Sequence, residues 1–89
     1  MVRIYDIDGN LIKEYPELET LAGADLSYED LMFADLRNLD LTDTNFHGAD
    51  LFMADIEGSI TDGTDFSNTY FEKIVSYGGG GHHEYIRGY

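Results

Sequence analysis

The feature that most constrains this chain is a period of five. From Glu19 to Lys73 the sequence divides into eleven consecutive groups of five residues in unbroken register. The third position reads Leu21, Leu26, Leu31, Leu36, Leu41, Phe46, Leu51, Ile56, Thr61, Phe66 and Phe71, so that ten of the eleven are large and apolar. The first position is mostly small: Ala24, Ala34, Thr44, Ala49, Ala54, Ser59, Thr64 and Thr69, with Glu19, Glu29 and Leu39 as exceptions. The second is Asp25, Asp30, Asp35, Asp40, Asp50, Asp55 and Asp65, with Asn45 among them. Five matches neither the helical period of 3.6 nor the strand period of 2, which excludes an amphipathic helix and a simple half-buried strand. A short fixed repeat is the mark of a solenoid, in which each unit buries its apolar residues only by stacking on its neighbours.

These groups resemble the pentapeptide-repeat family, whose pattern is A(D/N)LXX. The resemblance covers about three fifths of the chain. It implies an all-β fold, a right-handed β-helix of square section with one group on each side and four in each coil. The central Leu or Phe and the small first residue would point inward and the other three outward. A second periodicity agrees: Leu31-Met32-Phe33-Ala34-Asp35 is echoed by Leu51-Phe52-Met53-Ala54-Asp55, twenty residues later. The expected organisation is an N-terminal hairpin cap over 1–18, a β-helix of about two and three quarter coils over 19–73, and a closing segment with a glycine-rich tail over 74–89.

Stacking residues twenty apart predicts interior columns of Leu21, Leu41 and Thr61; Leu26, Phe46 and Phe66; Leu31, Leu51 and Phe71; and Leu36 with Ile56. Thr61 is the weak point, since a buried hydroxyl requires a partner. With Ile60 standing where Asp is usual, a local bulge that turns Ile60 inward in place of Thr61 is expected. Outside, the second positions form acid columns, among them Asp30 over Asp50 and Asp35 over Asp55. They serve either the turns, by bonding nearby backbone, or an electrostatic imitation of a nucleic-acid backbone. Length limits the imitation: the coils rise on the order of 13 Å at strand spacing, or about four base pairs. The same alignment sets Met32 beside Phe52 and Phe33 beside Met53, all outward, as an apolar patch suited to binding. Its alternative fate is cover by the chain's own termini.

At the amino end, Arg3-Ile4-Tyr5-Asp6-Ile7 and Leu11-Ile12-Lys13-Glu14-Tyr15 flank the turn signal Asp8-Gly9-Asn10, a hairpin that caps the open first coil. At the carboxyl end, Tyr70, Phe71, Ile74 and Tyr77 have the composition of a homodimer contact. Beyond the Gly78–Gly81 joint, Tyr85, Arg87 and Tyr89 read as a docking segment. The glycines have no phosphate-loop context. His82, His83 and Glu84 make a poor chelate, so neither a metal nor a cofactor is expected.

The net charge of -13 on 89 residues repels nucleic acid and anionic membrane and attracts basic surfaces. There are no cysteines, no stretch resembles a membrane span, and MVRIYDIDGN has acids where a signal peptide would be apolar. A cytoplasmic protein is the expectation. No catalytic residue is assigned: the repeated acids face water, and His47 and the serines at 27, 59, 67 and 76 have no evident convergent partner. The composition therefore suggests a non-enzymatic acidic module. It binds a protein through Met32, Phe33, Phe52, Met53 and the flanking acids, as a DNA-mimic-like inhibitor or adaptor of a basic nucleic-acid-handling protein. The alternative is a structural subunit or spacer in a larger assembly, viral or cellular, whose acids serve solubility.

Overall fold

The computed structural model describes residues 1–70 throughout and the backbone of residues 73–77 and 82–86. Four strands are named in it: β1 (Val2–Tyr5), β2 (Leu11–Tyr15), β3 (Lys73–Tyr77) and β4 (His82–Ile86). Between β2 and β3 the chain forms a β-helix whose parallel bridges all join residues twenty apart, from Asp25 with Asn45 to Asp50 with Tyr70.

The five-residue group has a fixed internal logic. The carbonyl of the third residue accepts the amide three positions on, as in Leu21 to Ala24 at 3.0 Å and Leu51 to Ala54 at 2.9 Å. The fifth residue, third in that turn, has φ between 55° and 78° at every group from Gly23 to Asn68. Positive φ at that position is the type II signature. The second residue starts the next turn: the Oδ1 of Asp25, Asp30, Asp35, Asp40, Asp50, Asp55 and Asp65, and of Asn45, accepts the amide two residues later. Asp is therefore a turn-forming residue here, since its oxygen satisfies an amide that the bent backbone cannot.

Successive coils are tied by backbone bonds at 19- and 21-residue separations, such as Leu26 N to Asn45 O at 2.7 Å and Asn45 N to Ala24 O at 2.9 Å. Inside, Leu21, Leu26, Leu31, Leu36, Leu41, Phe46 and Leu51 are buried with Ala24, Ala34, Ala49 and Ala54. Each large side chain contributes about 1.5–3 kcal/mol on burial. Phe46 and Phe66 stack face to face at 5.5 Å. Thr44 is also buried, and its hydroxyl donates to the Leu21 carbonyl at 2.7 Å.

One expectation is corrected. Ile60 does not turn inward: it is 52% exposed, and its backbone pairs with Asp40 in the regular register, so there is no bulge. Thr61 is exposed too, and its hydroxyl therefore needs no internal partner. The regular ladder fixes which way each side chain points, and hydrophobicity alone does not override it.

The hairpin forms as expected, with Val2 opposite Tyr15 and an irregularity between Ile4 and Tyr5. It docks on the first coil through Asp35 N to Tyr5 O at 2.7 Å and Ile7 N to Phe33 O at 3.0 Å. Ile4 and Tyr15 thereby join the core cluster and close its end. The Tyr15 hydroxyl is enclosed there without a hydrogen-bond partner, and burial foremost, with the neighbouring Glu29 carboxylate, pushes its pKa up to about 12. At the other end, residues 82–86 are a strand paired antiparallel with β3, Lys73 opposite Ile86. That segment's backbone is thus engaged within the chain, unlike the free docking tail expected from the sequence.

Candidate functional site

The site is built on the groups 29–33 and 49–53. Asp30 and Asp50 hold the amides of Met32 and Phe52 at 3.3 Å and 3.1 Å, which sets the direction of the outward residues that follow. Phe33 N donates to Phe52 O at 2.8 Å, while Phe33 O accepts the Ile7 amide of the docked hairpin. The backbone of Phe33 is therefore pinned from both sides, and its ring is presented from a fixed base.

The expected patch exists and is only partly covered. Met32, Phe33 and Met53 are 39%, 41% and 38% exposed, and Phe52 is half-buried. The hairpin borders the patch without burying it. Phe33 meets Phe52 edge-on at 5.8 Å, and Phe52 meets Tyr70 at 5.5 Å, so three rings form a continuous ladder across successive coils. Tyr70, expected at a dimer contact, belongs to this surface instead, because it occupies the second position in the column of Asp30 and Asp50.

Phe33 and Met53 stand at fifth positions, with φ of 62° and 57°. A bulky residue in that left-handed region costs about 1–3 kcal/mol of backbone strain. Elsewhere the corners use Gly, Asn or Asp, with Tyr28 as the other bulky exception. The columns of corner residues explain how those side chains are housed. Tyr28 lies over Gly48, Asn38 over Gly58 and Asp43 over Gly63, each in space that a Cβ on the glycine would fill. The column of Phe33, Met53 and Lys73 has no glycine, so two large apolar side chains follow one another with no recess between them.

The acids around the patch differ in state. Asp35 receives Nε and Nη2 of Arg37 at 2.8 Å and 3.0 Å, and that contact first, with the Arg37 amide, holds its carboxyl below the usual range. Its charge is therefore largely neutralised, in contrast to the bare column expected. Lys13 reaches from the hairpin to Glu29 at 3.2 Å, and Arg3 pairs with Glu14 at 3.0 Å. Asp55, the remaining expected acid, is half-buried and accepts the Glu57 amide at 2.9 Å. Phe71, Arg87 and Tyr89 lie outside the described residues, and of Ile74, Tyr77 and Tyr85 only the backbone, in β3 and β4, is described.

One arrangement was overlooked in the sequence. His47 and Ser67 occupy the same position twenty residues apart, and Nδ1 of His47 lies 2.6 Å from the Ser67 hydroxyl. That hydroxyl donates to Asp65 at 2.5 Å, so its proton is directed to a carboxylate and not to the imidazole. Tyr28 packs edge-on against His47 at 5.5 Å. A general base must receive the nucleophile's proton, and here the direction is the reverse.

Among the described residues no group of three or more His, Cys, Asp or Glu is placed to hold a metal ion, and no helix is long and apolar enough to cross a membrane. Compared with known proteins, residues 20–51 match the family described as Pentapeptide repeats (8 copies). No curated protein and no solved structure matches the chain.

Proposed function

The chain is a pentapeptide-repeat protein, and on that premise we propose that it is a non-enzymatic module that binds another protein through Met32, Phe33, Phe52, Met53 and Tyr70. In its finer form the reading is a right-handed, four-sided coil of about two and three quarter turns acting on a basic, nucleic-acid-handling protein, as inhibitor or adaptor, in the cytoplasm. The acids set the approach: a net charge of -13 draws in a basic surface over distances comparable to the Debye length.

The observation that carries this reading is the presence of Phe33 and Met53, exposed and in left-handed conformation, at corners where Gly, Asn and Asp serve the fold better. Residues that strain the backbone without being buried are retained for a reason other than stability.

The test follows from that asymmetry. Phe33→Asn with Met53→Asn substitutes the residue already found at Asn38 and Asn68. It should leave the melting temperature unchanged or raise it, since about 1–3 kcal/mol of strain is relieved at each corner. The same variant should lose the partner recovered by wild-type protein from the source cell. A variant that melts much earlier, or that keeps the partner, would remove the basis of the proposal. Homodimerisation through the carboxyl-terminal end belongs to the same programme, as a sedimentation measurement on the wild-type chain.

A further inference from the structure

We infer that the groove between β2 and the first coil seats a lysine or arginine side chain of the partner, carried on an extended segment whose apolar residues run down the ring ladder. This rests on the reading of the Met/Phe surface as the binding face and assigns the chemistry of what binds there.

The groove has a volume of about 530 Å³. Its apolar lining is Ile12, Met32 and Phe33, and its acids are Asp6, Asp8 and Asp30. Lys13 closes one wall, but its ammonium is paired with Glu29 at 3.2 Å, so the rim remains net negative. Asp6 is committed to the hairpin turn, accepting the amides of Asp8 and Asn10 at 2.9 Å each, with the Asn10 amide foremost in keeping its carboxyl ionised below the usual range. It acts as a fixed charge, whereas Asp8 and Asp30 are exposed at the rim.

An apolar lining beneath acidic edges complements a side chain with an aliphatic stem and a cationic head. A neutral apolar side chain leaves the acids without counter-charge, and an acidic one is repelled. Phe33 also supplies a ring face for a cation. The groove continues into the ladder, since Phe33 both lines it and meets Phe52, and Phe52 meets Tyr70. The hairpin and coil that form its two walls are joined by backbone hydrogen bonds, so the seat is preformed and little ordering opposes binding.

The experiment titrates the labelled full chain with a short capped peptide of alternating leucine and arginine at low ionic strength, following backbone amide shifts. The expected result is saturable shifts at Ile12, Asp30, Met32 and Phe33 together with Phe52 and Tyr70. Asp8→Asn and Asp30→Asn should each weaken binding by about threefold, the range of an exposed ion pair. Asp30→Asn keeps the turn, because Asn45 performs the same bond to His47. Equal affinity for the serine-for-arginine peptide, with shifts at Phe52 and Tyr70 alone, would overturn the cation seat and leave the binding face intact. Shifts spread over the acids of all groups would overturn the seat as a general polyanion effect. Peptide-independent shifts that grow with protein concentration would replace the partner with a second copy. No perturbation of this surface by either peptide would sink the groove and count against the face itself.

Discussion

Among individual residues, the corner position carries the sharpest consequences. Gly48 has φ of 71° and lies beneath the Tyr28 ring, whereas Gly23 has the same φ and open space around it. Gly23→Ala therefore isolates the backbone term, about 1–2 kcal/mol for a Cβ in the left-handed region. Gly48→Ala should cost more, because the Tyr28 ring must also leave its contact with His47. In a Tyr28→Ala background the two glycine substitutions should become equal, as read by urea unfolding. An unchanged difference would mean that the ring does not rest on the glycine. This pairing was legible in the sequence, since Tyr28 and Gly48 are twenty residues apart at the fifth position. It was missed because attention to apolar and acidic positions left the corners unread. Ile60 failed differently: its hydrophobicity was weighed as a local signal, and the ladder that holds its side chain outward is a property of the whole coil.

Between elements, the turns differ in how their carbonyls are satisfied. Leu39 is a large residue at the first position, and its amide does not reach the Leu36 carbonyl directly. Instead the Ser59 hydroxyl, one coil later, accepts the Leu39 amide at 3.0 Å and donates to the Leu36 carbonyl at 2.5 Å. Ser59→Ala leaves two partly buried backbone groups unsatisfied and should cost about 1–3 kcal/mol. Thr64 is the control. Its hydroxyl also donates to a carbonyl, Leu41 at 2.6 Å, but that carbonyl additionally accepts the Thr44 amide at 3.0 Å. Thr64→Val should cost under about 1 kcal/mol, and equal losses in chemical unfolding would contradict the bridging role. The acidic turns add a pH dependence. Hydroxyls of Ser27, Thr42 and Ser67 foremost, and then the amides of the same residues, lower the pKa values of Asp25, Asp40 and Asp65. Such groups stabilise the fold above the unfolded value of about 3.9, and the contribution is lost as pH falls through their folded values. Melting temperature should therefore drop below about pH 4, and the Ser27→Ala, Thr42→Val, Ser67→Ala variant should show a shallower drop. The period of five made the coil and most of its core readable in advance. The seat of the hairpin was not, because Asp6 pairs with Ala34 across a separation that leaves no local mark in the sequence.

Over the whole molecule, one charge acts on two equilibria with opposite sign. The three cations whose side chains are described are each paired with an acid, so the net charge of -13 resides on acids without a basic neighbour in those pairs. Held in a small coil, these charges repel one another, and added salt screens them more effectively than it affects the expanded chain. Raising sodium chloride from low to several times physiological concentration should therefore raise the melting temperature of the isolated protein. The proposed complex responds the other way, because the same screening weakens the attraction of a basic partner and chiefly slows association. A structural assembly held by the ring ladder alone predicts a different pair of slopes: the fold still gains with salt, and the complex gains with it. Melting curves and association rates measured over one salt series thus separate a binding module from a permanent subunit. The decisive sample is Asp8→Asn with Asp30→Asn, which reduces the charge beside the patch while leaving Met32, Phe33, Phe52 and Met53 in place. If the acids steer the partner, this variant should show a slower association rate at low salt and converge on wild type as salt rises. If the rates are equal throughout, the charge belongs to solubility and the apolar surface alone selects the partner.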